Sequence, residues 1–404
     1  MTQPIALPTP CLLLDADLMQ ANIERMDRRL ASFGVRTRPH VKTAKSLPVI
    51  ERMVQREQAG RQTDVRLTVS TVREAAEVIG AGYRDVLYAV GIVPQKLAEL
   101  TSLAGADAGV RISVILDSVE MAQALLEFLA QGTAAGSSAV QLDAFIELDV
   151  DAHRAGVNPG AAELLAIGQL LNGASRLRGV MTHAGYAYEC RSKIELLAMA
   201  ERERSGAVLA AERLAAVGVN CPEVSIGSTP TVSVAESFAG ITEVRTGVYV
   251  FNDLVIAGLG VCAESQIALS VLASVIGHQP GRNTLVIDAG WMALSNDRST
   301  ATHATDMGLG KIMGTDLCVR AANQEHGLVQ TLDGTPLDFA RFPIGSKVRV
   351  LPIHACATAA AFAGYQVFGE CLGHVLTPSM GGKNAIYWPR FSGWAGTQGG
   401  DLRY

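Results

Sequence analysis

The 404-residue sequence contains little that would direct it to a membrane, to nucleic acid or to a disulfide-stabilised fold. No apolar run approaches the roughly 20 residues of a spanning helix, because Asp, Glu or Gly interrupts the longest candidates. The net charge of −5 gives no reason to expect nucleic acid or an anionic membrane surface as partner. The seven cysteines are scattered and odd in number, which is typical of reduced thiols. The first residues lack the basic and apolar blocks of a signal peptide, so we expect a cytoplasmic protein.

Two nucleotide-binding motifs are also absent. Neither GxGxxG nor GxxxxGK[ST] occurs, so nothing supports the alternative of a doubly wound open sheet. Short extended runs instead alternate with helical patterns, and several of these runs are apolar on both faces. The sequence therefore predicts a parallel sheet closed as a (β/α)8 barrel. The strand candidates are residues 35–40, 65–70, 86–90, 112–116, 144–149, 179–183, 224–227 and 244–251.

The pattern changes after about residue 260. Short β-rich runs linked by Gly, Pro, Asn and Asp replace the helical patterns. We predict an α/β chain in which residues 16–261 form an N-terminal TIM-like (β/α)8 barrel. Residues 262–376, together with 1–15, are predicted to form a C-terminal, mainly antiparallel β domain. Residues 377–404 are predicted to be an irregular tail.

Lys42 lies where the first barrel strand is predicted to end and a loop leads into a helix. In an α/β barrel, this end of the strands is the face where chemistry is done. A lysine there can form a Schiff base with a carbonyl cofactor, provided that neighbouring groups lower its pKa. From this stretch alone, a solvated charge at a helix start is equally well supported.

Polar groups also follow the sixth and seventh strands. His183 and Tyr188 could stack on a ring or shuttle a proton, or they could be a hydrogen-bonded histidine and a core tyrosine. Gly227, Ser228 and Thr229 offer backbone N–H groups and hydroxyls that suit a dianionic phosphate. A plain Ser/Thr turn is the alternative for these three residues.

The eighth unit contains a cation, a glycine and a phenol, in Arg245, Gly247 and Tyr249. These groups could complete an anion site. The signal is weak by itself, because an arginine in a strand is more often part of a structural ion pair.

His354 and Cys356 form the candidate metal site. Two residues apart on an extended segment, their side chains would point to the same side and could reach one ion. Nitrogen and thiolate suit Zn²⁺ or another borderline metal, and two protein ligands would leave positions open for substrate oxygens. A buried cysteine beside a hydrogen-bonded histidine is the alternative, and it is the commoner explanation of such a pair.

Ten motifs in order, from about residue 8 to residue 365, resemble the D-serine dehydratase-like family of alanine-racemase-type (fold type III) pyridoxal-phosphate enzymes. They are TPCLLLDADLMQANIERM, RPHVKTAKS, LYAVGIVP, ELDVDAHRAGV, THAGYAYE, SIGSTPT, EVRTGVYVF, DAGWMALSNDR, ANQEHG and LPIHACATAAAF. The resemblance implies the barrel and the β domain, a homodimer and a small D-amino acid as substrate.

The resemblance also implies the site. Lys42 would carry pyridoxal 5'-phosphate (PLP), and His354 and Cys356 would hold a divalent metal, Zn²⁺ or Mn²⁺, with Mg²⁺ and Co²⁺ also open. The other residues implied to contact the cofactor are His40, Arg154, His183, Tyr188, Gly227, Ser228, Thr229, Gly247, Val248 and Tyr249.

The reaction implied is β-elimination of water from a D-3-hydroxy amino acid, which gives a 2-keto acid and ammonia. Lys42 would act as general base, and the metal would act as a Lewis acid on the β-hydroxyl. The spacing His-x-Cys, rather than His-Cys-Asp, favours dehydration over the alternative, a retro-aldol cleavage to glycine and an aldehyde. A racemase and a non-catalytic PLP carrier are remoter alternatives.

Overall fold

The computed structural model describes residues 7–60, 65–104, 109–134, 141–372 and 386–395. The chain divides into two compact units. One comprises Met26–Gly247 and Phe391–Tyr404, and the other comprises Met1–Arg25 and Val248–Arg390. Among the described residues, no helix has both the length and the apolar composition needed to cross a bilayer.

The chain begins with β1 (Cys11–Asp15) and α1 (Ala16–Phe33). The strands of the first sheet are β2 (Arg36–Thr37), β3 (Arg66–Val69), β4 (Asp85–Gly91), β5 (Arg111–Leu116), β6 (Gln141–Leu148), β7 (Leu177–Thr182), β8 (Glu223–Ile226) and β9 (Glu243–Val244). The helices that alternate with them are α2 (Leu47–Gly60), α3 (Val72–Gly80), α4 (Pro94–Ala104), α5 (Val119–Ala134), α6 (Ala162–Gly173), α7 (Lys193–Ala216) and α8 (Thr229–Val234).

The eight strands are parallel and follow the order β2-β9-β8-β7-β6-β5-β4-β3. A parallel bridge between His40 and Thr68 joins the two ends of this order. The Val41 N–H donates to the Thr68 carbonyl, and the Thr68 N–H donates to the Pro39 carbonyl, both at 2.9 Å. The sheet is therefore closed, and the predicted (β/α)8 barrel is confirmed.

Apolar side chains from four neighbouring strands, β4 to β7, pack into one core cluster. Leu87, Ile115, Phe145 and Met181 are each at most 1% exposed. Strands of a closed parallel sheet are covered on both faces, which explains why these runs are apolar throughout rather than alternating.

The eighth strand is shorter than predicted. The run 244–251 was expected to be one strand, but β9 ends at Val244 and Val248–Val250 form a 3-10 helix. The chain turns at Gly247, where a Cβ atom would lie 3.0 Å from the His40 carbonyl oxygen. Because this run is apolar and buried in either conformation, its periodicity could not distinguish a strand from a helical turn.

A cluster of opposite charges lies at the amino ends of the barrel strands. Its members are Arg38, Arg66, Arg178, Asp85, Glu223 and Glu243. The Arg38 guanidinium is fully buried and lies 2.7 Å from both Asp85 and Glu243. Four members are the first residues of their strands, on the barrel face opposite to the one where chemistry is done. We interpret the cluster as structural.

The second unit is built on a nine-stranded sheet that includes β1. Its further strands are β10 (Leu269–Gln279), β11 (Thr284–Ile287), β12 (Gly310–Ile312), β13 (Leu317–Ala322), β14 (Gly327–Thr331), β15 (Lys347–Pro352), β16 (Gly364–Phe368) and β17 (Ile386–Pro389). Its α-helices are α9 (Leu254–Gly258), α10 (Trp291–Leu294) and α11 (Ala355–Ala360). Besides Val248–Val250, its 3-10 helices are Glu264–Gln266, Pro280–Arg282, Phe339–Arg341 and Glu370–Leu372.

Six of these strands form an antiparallel ring, β10-β11-β14-β13-β12-β15, which closes because β10 pairs with both β11 and β15. β1 extends the sheet, antiparallel to β10 and parallel to β16. The predicted antiparallel C-terminal β domain is confirmed.

The tail predicted to be irregular contains one strand. β17 pairs antiparallel with β16. The predicted tail residues 377–385 and 396–404 lie outside the described residues.

Candidate active site

Lys42 lies at the carboxyl end of the barrel strands, between β2 and α2, and its side chain is exposed. Extended chain leads up to it, since the Arg38 N–H donates to the Val244 carbonyl (2.8 Å) and the His40 N–H donates to the Thr246 carbonyl (2.9 Å). The chain then turns, and α2 begins at Leu47. The barrel thus places this lysine at the end of a strand, as its position in the sequence predicted.

Two neutral histidines lie close to Lys42. Desolvation by the barrel, together with the charge of Lys42, lowers the pKa of His40 well below its ordinary value. The same two effects lower the pKa of His183 to about 3, against the opposing effect of its bond to Gly227. Both rings therefore stay uncharged at neutral pH.

The hydrogen bonds of the two histidines define their tautomers. The His40 Nδ1 accepts the Lys42 N–H (3.4 Å), so its Nε2 carries the proton and donates to the Ser70 hydroxyl (3.2 Å). The His183 Nδ1 contacts the Gly227 carbonyl, which can only accept, so this nitrogen carries the proton. The Nε2 of His183 is left with its lone pair.

Tyr188 and Arg154 lie near His183. The Tyr188 ring centroid is 6.3 Å from that of His183, with a 40° tilt between the planes. Arg154 is half exposed and donates to Glu147 at 2.8 Å, and its charge contributes to the lowered pKa of His183 after desolvation and Lys42. The barrel therefore brings together Lys42, both histidines, this phenol and this cation.

The loop after β8 is held tightly. The Gly227 N–H donates to Glu203 (3.2 Å), and a Cβ atom at this position would lie 2.8 Å from the Arg245 carbonyl oxygen. Gly227 therefore contributes close packing, and its N–H is already used. Ser228 caps α8 by accepting the Thr231 N–H at 3.5 Å. An anion would meet this loop at Ser228 and Thr229, where the helix dipole favours negative charge.

Arg245 ties together the ends of three strands. It is buried, its Nε donates to the Ser225 hydroxyl (2.9 Å), and its Nη2 donates to the Thr182 carbonyl. Desolvation lowers its pKa to about 10, although nearby carboxylates oppose this effect. Both hydrogen bonds of Arg245 described here hold strand ends together, and they go to a hydroxyl and a carbonyl rather than to the carboxylate of an ion pair.

The other candidate residues after β9 do not all belong to the same compact unit of the chain. Gly247 belongs to the barrel unit, where it packs against His40 and Thr43. Val248 and Tyr249 are buried in the 3-10 helix of the other unit.

The candidate metal ligands occupy the start of a helix, not the extended segment expected from the sequence. His354 precedes α11 with extended backbone angles, and Cys356 is the second residue of that helix. The alanine-rich run after His354 explains the difference, because alanine has the highest helix propensity. The two side chains nevertheless lie close enough for Cys356 to raise the pKa of His354.

Two aspartates orient this segment. The His354 Nδ1 donates to Asp297 Oδ2 at 2.8 Å, which directs its Nε2 away from that carboxylate. The buried Asp253 accepts the Ala355 N–H (2.9 Å) and the Ile256 N–H (3.0 Å), which joins the starts of α11 and α9. Burial lowers the pKa of His354, but Asp297 and Cys356 outweigh it and raise this pKa to about 11.

These residues fit the groups that the resemblance implies. For PLP, the barrel offers an exposed amine at Lys42, two uncharged rings and a helix start for a phosphate. For a metal, the second unit offers the imidazole of His354 and the nearby thiol of Cys356. No three His, Cys, Asp or Glu side chains in the described ranges form a complete metal-binding set.

Sequence reasoning missed Asp297 and Glu203 as site residues. Asp297 lies in the motif DAGWMALSNDR, so a search of the motifs for a carboxylate partner of His354 could have found it. Glu203 lies in a charged stretch of α7, and no sequence signal separates it from its exposed neighbour Glu201.

Comparisons with known proteins agree with this architecture. A family model described as alanine racemase, N-terminal domain, matches residues 14–254. A second model, described as putative serine dehydratase domain, matches residues 268–368.

Three relatives illustrate the similarity. The D-threo-3-hydroxyaspartate dehydratase of Delftia sp. strain HT23 is 44% identical over 96% of this chain and 99% of its own. Its solved structure superposes with a TM-score of 0.85, covering 97% of this chain and all of that one. The D-serine dehydratase of Dictyostelium discoideum is 31% identical over 90% of this chain and 94% of its own. A 3-hydroxy-D-aspartate aldolase of Paracoccus denitrificans is 28% identical over 87% and 86%. The chain therefore belongs to the alanine-racemase-type family of pyridoxal-phosphate enzymes with a C-terminal serine dehydratase domain.

Proposed function

We propose that this chain is a PLP- and divalent-metal-dependent lyase that removes water from a D-3-hydroxy amino acid, releasing a 2-keto acid and ammonia. The observation that carries the proposal is the position of Lys42 at the end of a barrel strand beside two neutral histidines. The similarity to the Delftia dehydratase over nearly the full length of both chains supports the same reaction class.

The proposal gives each unit a defined set of ligands. Lys42 would bind the cofactor carbonyl, and Ser228 and Thr229 at the start of α8 would hold its phosphate. His354 Nε2 and Cys356 Sγ would hold the metal, with Asp297 fixing the imidazole through Nδ1. When bound, PLP supplies an electron sink and the metal supplies a Lewis acid for the β-hydroxyl.

One solved form of a D-threo-3-hydroxyaspartate dehydratase, with a cysteine replaced by alanine, is metal-free. Another variant of that enzyme replaces a histidine two positions earlier. His354 and Cys356 have the same spacing, which supports them as the metal pair of this chain. The thiol favours Zn²⁺ over Mn²⁺, Mg²⁺ or Co²⁺, because soft ligands select soft or borderline metals.

Lys42 has the central role among the residues of the chain. Its Nζ must be neutral to take the proton from the substrate Cα. The neutral His40 and His183 add no positive charge near this amine, and they would offer uncharged rings to a bound cofactor. Loss of the α-proton and of the β-hydroxyl as water leaves an enamine, which hydrolyses to the keto acid and ammonia.

Product analysis tests the proposal. The protein would be incubated with D-threo-3-hydroxyaspartate, D-serine and D-threonine, with and without a chelator. We expect ammonia and a 2-keto acid in equal amounts, with turnover lost on chelation and regained on addition of Zn²⁺ or Mn²⁺. L-Serine is the control substrate. Glycine and an aldehyde as products would overturn dehydration in favour of aldol cleavage, and turnover unaffected by chelation would remove the metal from the reaction.

A further inference from the structure

Glu203 is a fully buried carboxylate on α7 that has no part in the proposed reaction. Its Oε1 accepts the Ala184 N–H at 3.0 Å and the Gly227 N–H at 3.2 Å. Its Oε2 accepts the hydroxyl of Thr231 in α8. One side chain from the helix layer thus binds three points at the carboxyl ends of two neighbouring strands.

Both backbone contacts adjoin candidate cofactor ligands. Ala184 directly follows His183, and Gly227 directly precedes Ser228. The two loops are also joined to each other, because His183 donates to the Gly227 carbonyl. Glu203 therefore binds the N–H of the same glycine whose carbonyl orients the histidine ring.

Arg245 provides the opposing charge. It contacts the end of β7 through the Thr182 carbonyl and β8 through the Ser225 hydroxyl. Burial raises the pKa of Glu203, and the hydrogen bonds to Glu203 and the charge of Arg245 oppose this effect only in part. Glu203 accepts three hydrogen bonds, as suits a carboxylate. A buried negative charge behind a loop that binds a dianion would oppose binding by electrostatics alone. The role of Glu203 behind this loop must therefore come from its hydrogen bonds.

We propose that Glu203 is a positioning residue that holds His183 and the loop Gly227–Thr229 in the conformation that binds the phosphate end of the cofactor. This inference rests on the proposed function, because it assumes that PLP occupies the barrel. A residue of α7, a helix outside the site, would then control the affinity for the cofactor.

Two substitutions separate geometry from charge. In Glu203→Gln, the amide oxygen can accept both backbone N–H groups and the amide nitrogen can donate to Thr231, so the geometry is kept and the charge is lost. In Glu203→Ala, both N–H groups lose their partner. We expect Glu203→Ala to bind PLP at least about tenfold more weakly, and Glu203→Gln to stay within about threefold of the wild type.

The measurement is equilibrium titration of the full chain, freed of cofactor, with PLP and separately with pyridoxal, which lacks the phosphate. The absorbance of the lysine-bound cofactor reports binding, and circular dichroism reports folding. Because the loop serves the phosphate, the pyridoxal affinity of Glu203→Ala should change less than its PLP affinity. Glu201→Ala is the matched control, since Glu201 is two residues away on the same helix but 58% exposed.

The outcomes are distinct. Equal PLP affinity in Glu203→Ala and the wild type would overturn the positioning role, as would an equal loss in Glu203→Gln and Glu203→Ala. Tighter PLP binding by both variants would assign the effect to charge instead. If Glu203→Ala does not fold, Thr231→Val removes one of the three bonds and should still weaken PLP more than pyridoxal; an equal loss for both would count against the role. A wild-type protein that binds no PLP would refute the proposed function itself.

Discussion

The residue around which the chemistry is proposed, Lys42, has a natural internal comparison in Lys45. The two lysines lie in the same loop, but the Lys45 Nζ is 3.1 Å from the buried carboxylate of Glu74. Lys42 is exposed, and its charge acts on His40 and His183. The two amines therefore have different environments, and we expect different effects when each lysine is replaced by alanine.

Substituting Lys42 by Ala should remove the absorbance of the lysine-bound cofactor and lower turnover at least about a thousandfold, because both the Schiff base and the general base are lost. Absorbance spectra of the purified protein and a keto-acid assay measure the two effects. Lys45→Ala is the control and should keep the absorbance. A coloured Lys42→Ala protein would show that another amine holds the cofactor.

We expect Asp297 to make metal binding by His354 depend on pH. In the metal-free chain, the pKa of His354 is raised to about 11, so a metal must displace its proton. Because the metal competes with this proton, we expect the metal affinity of the wild type to fall about tenfold for each pH unit between pH 9 and pH 7.

In Asp297→Asn, the pKa of His354 falls, so this part of the pH dependence should flatten. Zn²⁺ titrations against a competing chromophoric chelator measure the slopes. Asp306→Asn, which removes a partner of Arg298 on the surface, is the control and should keep the wild-type slope. Equal slopes in Asp297→Asn and the wild type would contradict the role of Asp297.

Short-range patterns explain which residues could be predicted from the sequence. Lys42, His183 and Ser228 follow predicted strands, so strand ends and loop chemistry indicated where they lie. Glu203 could not be found in this way, because its partners are 19 to 28 residues away and its neighbours on α7 are charged. A buried carboxylate in such a stretch is recognisable only when the helix packs on the strands.

At the level of elements, the alternation of strands and helices predicted all eight barrel strands, while two local conformations were wrong. The second half of the run 244–251 is a 3-10 helix, and the segment carrying His354 and Cys356 starts a helix. In both cases, a short buried run satisfies its apolar side chains in more than one backbone conformation. Periodicity therefore cannot choose between them.

The charge cluster at the amino ends of the barrel strands should make the stability of the barrel depend on pH. Burial would raise the pKa of Glu243, but Arg38 and Arg66 lower it from its ordinary 4.5 to about 2. A group whose pKa is lowered by folding stabilises the protein above its unfolded pKa, and this stabilisation is lost as the pH falls towards 2. Acid should therefore destabilise the barrel between about pH 4.5 and pH 2.

Substituting Glu243 by Gln should lower the free energy of unfolding at pH 7 by about 3 kcal/mol, because the buried Arg38 and the partly exposed Arg66 lose a counter-charge. The loss of stability on acidification should be smaller than in the wild type. Urea unfolding at pH 7 and pH 3 measures both quantities, with Glu201→Gln as an exposed control. Wild-type stability of Glu243→Gln at pH 7 would contradict the structural role of the cluster.

For the molecule as a whole, ordered motifs carried more information than composition. Composition excluded membrane spans and a disulfide framework, but it did not distinguish a barrel from an open sheet. The ten motifs identified the family, and the matches to residues 14–254 and 268–368 agree with it. What motifs could not provide is the network behind the loops, since Glu203 and Asp253 act through contacts that only the folded chain creates.

The bridge between His40 and Thr68 links the integrity of the barrel to its chemistry. His40 is two residues before Lys42, so the same short stretch makes the contact that closes the barrel. A chain in which that bridge is open would keep eight strands joined by seven pairings, but the backbone just before Lys42 would lose its contact with β3. We therefore expect a substitution that opens this bridge to weaken cofactor capture by Lys42 even where the rest of the sheet stays paired.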